Sequence, residues 1–342
     1  MTAEESETPP PARFNYKKLW PWVNAGIAFL LIAGGVWFLN RTVGLDKIGE
    51  AMRLADGRFI LLALPVVTLI GAVKAWRWGL LLTPNGENIP YSSLFWSTWL
   101  GQVVNIAIPF LRLGEVARAY TIDQQTDIGK VRALSTMVVE KTLELIMLAL
   151  LLAVIVPLVV LPEVFNNWWM LGILAGFILL GLYLVAYQTD FIIRMTKQMG
   201  RWLPVRLQNK IMPLVLSGLA GIASLRDKKT VLLLLGSSLF ITFLSILTPF
   251  ILFRAMAIPL GLPEAAVVDS ALNIVTTPPS TPGQLGVFEG TTVFILNQFG
   301  QENNARLVSY AIIYHLVALA PIIVLGSLAA ARTRWEWQRD DR

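Results

Sequence analysis

Residues 230 to 253 read TVLLLLGSSLFITFLSILTPFILF, a run of 24 residues without a charged side chain. A helix needs about 20 predominantly apolar residues to cross the hydrocarbon core of a bilayer. Other long apolar runs occupy residues 20 to 40, 59 to 82, 133 to 160, 168 to 188 and 306 to 331. Because these runs are spread along the whole chain, the sequence predicts an all-α, polytopic transmembrane helical bundle.

The composition agrees with this fold class. Of the 342 residues, 55% are hydrophobic and 15% are charged, whereas a soluble domain carries about 25% charged residues. Lysine and arginine outnumber the acidic residues by 28 to 22, and they are scattered between the apolar runs. That distribution favours an anionic lipid surface over nucleic acid as the partner.

Several kinds of chemistry are excluded by the residues that the chain lacks. It has no cysteine and a single histidine, His315, so thiolate metal sites, cysteine nucleophiles and multi-histidine zinc sites are excluded. It also contains neither a phosphate-binding loop motif nor a dinucleotide-binding glycine motif. We therefore expect no cofactor, and most catalytic options are removed.

The sequence predicts one transmembrane domain over residues 17 to 333, placed between two tails. Residues 1 to 16 are acidic and proline-rich, which predicts a disordered cytoplasmic tail, and residues 334 to 342 form a basic cytoplasmic tail. Residues 190 to 228 combine many lysines and arginines with an apolar stripe. They are interrupted by prolines, so we expect an interfacial elbow that lies on the membrane.

Two segments, 91 to 128 and 265 to 300, are apolar but interrupted by proline, glycine and polar residues. Each lies between two long runs, so the halves at about 59 to 160 and 230 to 331 share one pattern. Matching interruptions in two halves predict internal repeats with the binding site at the breaks, where irregular backbone lines a polar cavity. We expect two inverted repeats and two re-entrant broken-helix pairs.

The distribution of lysine and arginine beside the spans places the C-terminus in the cytoplasm. It leaves the N-terminal half open, because the balance hardly changes if residues 91 to 110 cross the membrane fully. We adopt six full spans with cytoplasmic termini, since the two broken pairs then enter from opposite faces.

The first break is followed by a ladder of alternating charge. Arg112, Glu115 and Arg118 are spaced at i, i+3 and i+6, so they share one helix face. A helix N-terminus near Gly114 adds partial positive charge, and the combination suits a phosphate. The alternative is an ion network that fixes a helix end at the membrane surface. We expect Asn105 to cap the broken backbone.

Charged residues also interrupt two of the long runs. Glu140, Lys141 and Glu144 fall within one and a half turns, and each charge at a span's centre costs about 2.5 to 3.5 kcal/mol. They lie either near the cytoplasmic surface or towards a polar cavity. Lys74 and Arg77 likewise lie either near the surface or towards a polar cavity. The simpler interpretation is that their side chains snorkel to the surface.

The second break, residues 277 to 289, reads TPPSTPGQLGVFE and includes Gln284. It places Glu289 one turn after the glycine that opens a half-helix. Glu289 is expected to accept an amine or a proton, to pair with an arginine of the other half, or to stabilise the helix N-terminus. Asn273 is expected to cap broken backbone. His315 is either a proton relay or, more simply, a neutral histidine bonded to a neighbouring helix.

Taken in order, these motifs resemble the lysylphosphatidylglycerol synthase transmembrane, or flippase-like, family. The likeness covers about residues 20 to 331 and is carried by Arg77-Trp78, Asn105 to Pro109, Arg112-x-Gly-Glu-x-x-Arg118, Glu140-Lys141 and Pro282-Gly-x-x-Gly-x-x-Glu289. The resemblance implies movement of a lipid with a charged headgroup between the leaflets of a prokaryotic cytoplasmic membrane. Lys141 stands where the family usually has arginine, which keeps the charge but loses the bidentate fork.

The residues and the resemblance together favour a lipid transporter for a phospholipid, aminoacylated lipid or glycolipid. Arg112 and Arg118, with Arg77, would hold the lipid phosphate, and Glu289 and Glu140 would accept an amine or balance the cations.

A membrane-embedded transferase that uses a lipid-linked donor is the alternative, with Glu289 or Glu115 as general base. Bifunctional family members continue into an aminoacyl-transfer domain, whereas this sequence ends after the last span, so we do not expect lysyl-lipid synthesis. The expected partners are a charged lipid, the membrane, a second copy of the chain and a separate lipid-synthesising enzyme.

Overall fold

The computed structural model describes residues 55–83, 88–108, 113–126, 128–159, 227–278, 281–302 and 304–333, together with a few single positions. The described residues form the α-helices α1 (Gly57–Leu82), α2 (Tyr91–Ala107), α3 (Leu113–Thr126), α4 (Lys130–Ile155), α5 (Lys228–Ala255), α6 (Leu262–Thr276), α7 (Val287–Gln298) and α8 (Asn304–Arg332). Short 3-10 turns occupy Val156–Leu158 and Pro282–Gln284, and these ranges contain no strand. The all-α prediction is confirmed.

Three of these helices, α1, α5 and α8, are long and apolar enough to cross a membrane. They coincide with the predicted runs at 59 to 82, 230 to 253 and 306 to 331. Helix α4 has a similar length, 26 residues, but carries Glu140, Lys141 and Glu144. The predicted spans at 20 to 40 and 168 to 188, the elbow and both tails lie outside the described ranges.

Aspartates begin two of the long helices. The Asp56 carboxylate accepts a hydrogen bond from the backbone N–H of Arg58, and Asp227 accepts from the N–H groups of Lys229 and Thr230. Aspartate is favoured here because the first N–H groups of a helix have no partner within it. The Thr230 hydroxyl also donates to Asp227, and these bonds hold the pKa of its carboxyl below the usual value.

Helices α1 and α5 run antiparallel against each other. The Asp56 N–H, at the start of α1, donates to the Ala255 carbonyl at the end of α5 over 2.9 Å. Near the other end of α1, Arg77 reaches Ser238 in the first half of α5. A buried apolar cluster fills the space between this pair and α6, α7 and α8.

Each predicted broken segment is a pair of short helices. The first pair is α2 and α3, and the residues between them from 109 to 112, including Arg112, lie outside the description. The second pair is α6 and α7. The backbone between them turns through positive φ at Gly283 (62°), Gln284 (60°) and Gly286 (82°). Glycine adopts such angles without steric cost, so the two glycines permit the break.

Helix α2 is packed closely on three sides by glycine-bearing helices. A Cβ on Gly71 of α1 would overlap the ring of Trp99, and one on Gly326 of α8 would overlap Val103. A Cβ on Gly114 of α3 would overlap the carbonyl oxygen of Gly101. Across the bundle, α4 packs against α3 and α6.

Candidate functional site

A buried ion-pair network joins four helices. Arg77 of α1 is only 1% exposed, and its guanidinium donates to Ser238 Oγ of α5 at 3.0 Å. It also donates to Glu140 Oε1 at 3.3 Å and Glu144 Oε1 at 3.2 Å, both on α4. From α3, Arg118 Nη1 donates to Glu140 Oε2 at 2.9 Å. Both carboxylate oxygens of Glu140 are therefore held by arginines, which offsets the cost of burying the charges.

Two lysines extend the network around Glu144. Lys74 Nζ lies 3.3 Å from Glu144 Oε1, and Lys141 Nζ lies 2.9 Å from Glu144 Oε2. The arrangement follows from helix geometry, because residues 74 and 77 are three apart on α1 and residues 140 and 144 are four apart on α4. The network contains four cationic side chains and two carboxylates, so cations are in excess.

The tryptophan next to Arg77 orients the other arginine. The Arg118 guanidinium lies over the Trp78 ring, with its Cζ 3.8 Å from the ring centroid. The Trp78 indole N–H donates to Thr136 Oγ1 at 3.0 Å, which fixes the plane of the ring. A stacked guanidinium gains a cation–π attraction while its edge atoms stay available for hydrogen bonds.

A cavity of about 320 Å³ lies between α1, α4, α5 and α6. Its polar lining consists of Lys74, Arg77, Lys141, Glu144, Ser238, Thr242, Ser245, Asp269, Asn273 and Thr277, and its apolar lining of Leu145, Met147, Leu148, Leu151 and Ile241. We call it the large cavity. Helices of both halves of the chain contribute to it, and it offers charged groups and aliphatic surface side by side.

A second cavity, of about 110 Å³, lies between α1, α2, α3 and α4, and we call it the small cavity. Lys74, Lys141 and Glu144 line both cavities, so these three side chains form the boundary between them. Arg118, Glu140 and Glu115 line only the small cavity, among other residues, and Arg77 lines only the large one.

Comparison with known proteins identifies the fold's relatives. Residues 25–326 match the family model described as the lysylphosphatidylglycerol synthase TM region. The chain belongs to this family. A UPF0104 membrane protein of Methanothermobacter thermautotrophicus is 21% identical over 301 residues, which cover 84% of this chain and 89% of that protein. A UPF0104 membrane protein of Methanocaldococcus jannaschii is 30% identical over 119 residues, about a third of either chain.

Four of the residues on which the resemblance to this family rested, Arg77, Arg118, Glu140 and Lys141, come together in the network. They originate from three different helices. The sequence did not single out Ser238 or Asp269 as site residues. The signal for Asp269 was present, since it is an acidic residue within an otherwise apolar segment.

At the first break of this family member, Asn105 forms hydrogen bonds with Glu115 and with the backbone. Asn105 Oδ1 accepts from the Gly114 N–H at 2.8 Å, which is the capping bond that the sequence predicted for Asn105. Its amide nitrogen donates to the Glu115 carboxylate at 3.3 and 3.4 Å. Both residues line the small cavity.

At the second break, Glu289 bonds to His315 instead of an arginine of the other half. Glu289 Oε1 lies 2.7 Å from His315 Nδ1, and Glu289 Oε2 accepts from the Gly286 N–H at 2.7 Å. Glu289 lines neither cavity. Gln284 donates to the Thr276 carbonyl oxygen at 3.5 Å, so it contacts broken backbone.

Asn273 lines the large cavity, and its amide donates to the Asp269 carboxylate at 3.0 Å and to the Asp269 carbonyl. No cation of the described residues lies within 4.0 Å of that carboxylate, so Asp269 presents an acidic group to the cavity without an ion-pair partner there.

Proposed function

We propose that this protein is a lipid transporter that moves a lipid with a charged headgroup between the leaflets of a prokaryotic cytoplasmic membrane. The large cavity carries the proposal, because it combines charged and aliphatic lining in one space between the two halves. A lipid has the same division, with a charged headgroup attached to apolar chains. Family membership supports a role connected with membrane lipids.

The charges of the large cavity fit a phosphate-bearing headgroup. Lys74, Arg77 and Lys141 face it with three positive charges against the carboxylates of Glu144 and Asp269. The acyl chains would follow Leu145, Leu148 and Leu151 on α4, and Leu145 is already 52% exposed at the side of the helix. The headgroup would pass inside while the chains remain in the lipid.

Two features support an inverted repeat in which α1–α4 correspond to α5–α8. The corresponding helices α1 and α5 are antiparallel, as an inverted pair must be. In such a repeat α2 corresponds to α6 and α8 corresponds to α4, so the contact between α2 and α8 should have a counterpart between α6 and α4. Both contacts occur. Such a repeat gives two related conformations that open the site to opposite faces.

The short helices fit re-entrant pairs. Helices α2, α3, α6 and α7 have 12 to 17 residues. At 1.5 Å per residue they are about 18 to 26 Å long, which is less than the roughly 30 Å of the hydrocarbon core. We propose that each pair enters and leaves on one face, and that the two pairs enter from opposite faces.

The membrane potential supplies a driving force for an anionic lipid. Moving one elementary charge through 100 mV changes its free energy by about 2.3 kcal/mol. With a negative interior, the potential favours movement of an anionic headgroup to the outer leaflet. A lipid concentration difference between the leaflets adds to this term.

Leaflet exchange in vesicles tests the proposal. Purified protein is reconstituted with phosphatidylglycerol that carries a fluorophore, and an impermeant reductant then quenches the label in the outer leaflet. We expect the quenched fraction to exceed the outer-leaflet fraction only in vesicles that contain protein. With Arg77→Gln, the quenched fraction should decrease towards the value of protein-free vesicles. The control is Glu302→Gln, which changes an exposed carboxylate that lines neither cavity.

Equal quenching with and without the protein, under an imposed potential, would overturn the proposal. Chromatography of the lipids after the assay separates it from the transferase alternative. A new lipid species would indicate transfer chemistry, and unchanged lipids with altered sidedness indicate transport.

A further inference from the structure

Several unsatisfied polar atoms belong to residues that line the small cavity. Three residues that line it carry buried side-chain atoms without a hydrogen-bond partner among the described residues: Thr98 Oγ1, Gln102 Nε2, and both Nε and Nη2 of Arg118. Buried polar groups in native proteins are almost always bonded, to ordered water or to a ligand where the protein offers no partner. We therefore expect the small cavity to bind a group that forms hydrogen bonds with these atoms.

The position of Arg118 indicates which kind of group can form these hydrogen bonds. Its Nη1 is fixed by Glu140 and its guanidinium face lies on Trp78, so its remaining donors are the Nε and Nη2 atoms of one edge. These two N–H groups point in parallel and match two oxygens of one phosphate or carboxylate group. Lysine at this position would have no such edge.

The two other residues come from the facing helix. Thr98 and Gln102 are four residues apart on α2, so their side chains lie on one face, one turn apart. Thr98 is 4% exposed, which excludes bulk water as a regular partner for its hydroxyl. Helices α2 and α3 thus both contribute residues with unpaired polar groups to the lining.

The carboxylates around the small cavity are already occupied. Glu140 accepts from both arginines, Glu144 pairs with Lys74 and Lys141, and Glu115 accepts from Asn105. What is left unpaired is the donor capacity of Arg118 and Gln102 together with the Thr98 hydroxyl. A set of free donors selects an acceptor, and a set that includes a guanidinium selects an anion.

The geometry points to an anion subsite in the small cavity, where Arg118, Gln102 and Thr98 bind a phosphoryl group. The choice of a lipid phosphodiester as its source rests on the proposed function. Inorganic phosphate presents the same oxygen acceptors and serves as a probe that does not depend on lipid movement.

Thermal unfolding of the full-length protein in detergent tests the subsite. The unfolding midpoint is followed during titration with sodium phosphate, with sodium chloride at equal ionic strength as the salt control. A second titration uses a short-chain phosphatidylglycerol. A rise with phosphate indicates that the free anion suffices, and a rise with the short-chain lipid alone indicates that the glycerol ester is needed.

Two sets of variants locate the effect. Arg118→Lys keeps the charge beside Glu140 but removes the Nε–Nη2 edge, and the pair Thr98→Val with Gln102→Leu removes the α2 groups while keeping similar volumes. We expect each set to weaken apparent binding about tenfold, which corresponds to losing one charge-assisted hydrogen bond. Thr121→Val is the matched control, because this buried threonine bonds to the Ala117 carbonyl and lines neither cavity.

A midpoint that responds to neither titrant overturns the inference, and water then remains as the occupant. Equal responses in the wild type and in both variant sets overturn it as well. Because binding is measured without membranes, its outcome is independent of the leaflet-exchange assay. The subsite hypothesis and the transport hypothesis can therefore be rejected or supported separately.

Discussion

Arg118 Nη1 and Glu140 Oε2 lie 2.9 Å apart, and the other oxygen of the same carboxylate lies 3.3 Å from Arg77 Nη2. One buried acidic residue thereby neutralises an arginine from α3 and an arginine from α1. Arg118 and Glu140 line the small cavity, and Arg77 lines the large one. A change at Glu140 therefore affects both arginines.

Replacing Glu140 with alanine leaves two buried guanidinium groups short of a partner. Removing one member of a buried pair costs about 3 to 5 kcal/mol, so we expect a free energy of unfolding lower by that amount. Chemical denaturation in detergent measures it. Glu302→Ala, at an exposed carboxylate, serves as the control and should change stability by less than about 0.5 kcal/mol. Similar values for the two variants would contradict the role of Glu140.

Arg77→Lys tests the geometry of the network at constant charge. Lysine has no planar fork, so it cannot hold Ser238, Glu140 and Glu144 at the same time. We expect the protein to fold and the rate of leaflet exchange to fall at least about tenfold, since more than one charge-assisted hydrogen bond is lost. Ser238→Ala removes a single neutral partner and should have a smaller effect. An unchanged rate in Arg77→Lys would show that charge alone is sufficient.

Two glycine substitutions should change stability in opposite directions. At Gly114, an added Cβ overlaps the Gly101 carbonyl oxygen and the Asn105 side chain, so Gly114→Ala should destabilise the protein by about 1 to 3 kcal/mol. At Gly290, in α7, an added Cβ meets no atom within 4 Å. Gly290→Ala should stabilise its helix by about 0.5 to 1 kcal/mol. Thermal unfolding of both variants measures the contrast, and a shared sign would refute the close packing of α2 on α3.

Asp269→Asn should alter the preference between lipids. The substitution replaces an ionisable carboxyl group of the large cavity with a neutral amide and preserves the bonding to Asn273. At roughly 10 Å and an effective dielectric constant of about 20, a unit charge contributes up to about 1.7 kcal/mol, so the rate for phosphatidylglycerol relative to phosphatidylethanolamine should rise by up to about fifteenfold. Competition between the two labelled lipids measures this ratio. Asp123→Asn, which lies outside both cavities, should leave the ratio unchanged.

The apolar runs and the interruptions were predicted from the sequence because both have local causes. A run such as residues 230 to 253 has to be shielded from water whatever surrounds it, and the close spacing of Pro282, Gly283 and Gly286 disfavours a continuous helix. The cap by Asn105 also has a local cause, since its partner Gly114 is only nine residues away. The spans expected at residues 20 to 40 and 168 to 188 remain predictions.

The partners of the charged residues were not predictable in the same way. Glu289 was expected to accept an amine or a proton, to pair with an arginine of the other half, or to stabilise the helix N-terminus. The last alternative is confirmed by its bond to the Gly286 N–H, and its other partner is His315. The choice among those partners depends on how α7 is rotated against α8. That rotation is set by the packing of side chains over the whole interface, so the spacing within one segment carries no information on it.

The sequence by itself determined that this chain is a helical membrane protein with two broken segments, because length, hydropathy and the conformations of proline and glycine act locally. Only the tertiary structure decided that Glu140 lies between Arg77 and Arg118 and that Asp269 shares a cavity with Lys74. The partners of Glu140 lie 22 and 63 positions away along the chain, on other helices of the N-terminal half. Asp269 and Lys74 share a cavity because helices of both halves pack around it. The burial of a charge is tolerated only where such packing brings its counter-charge within reach.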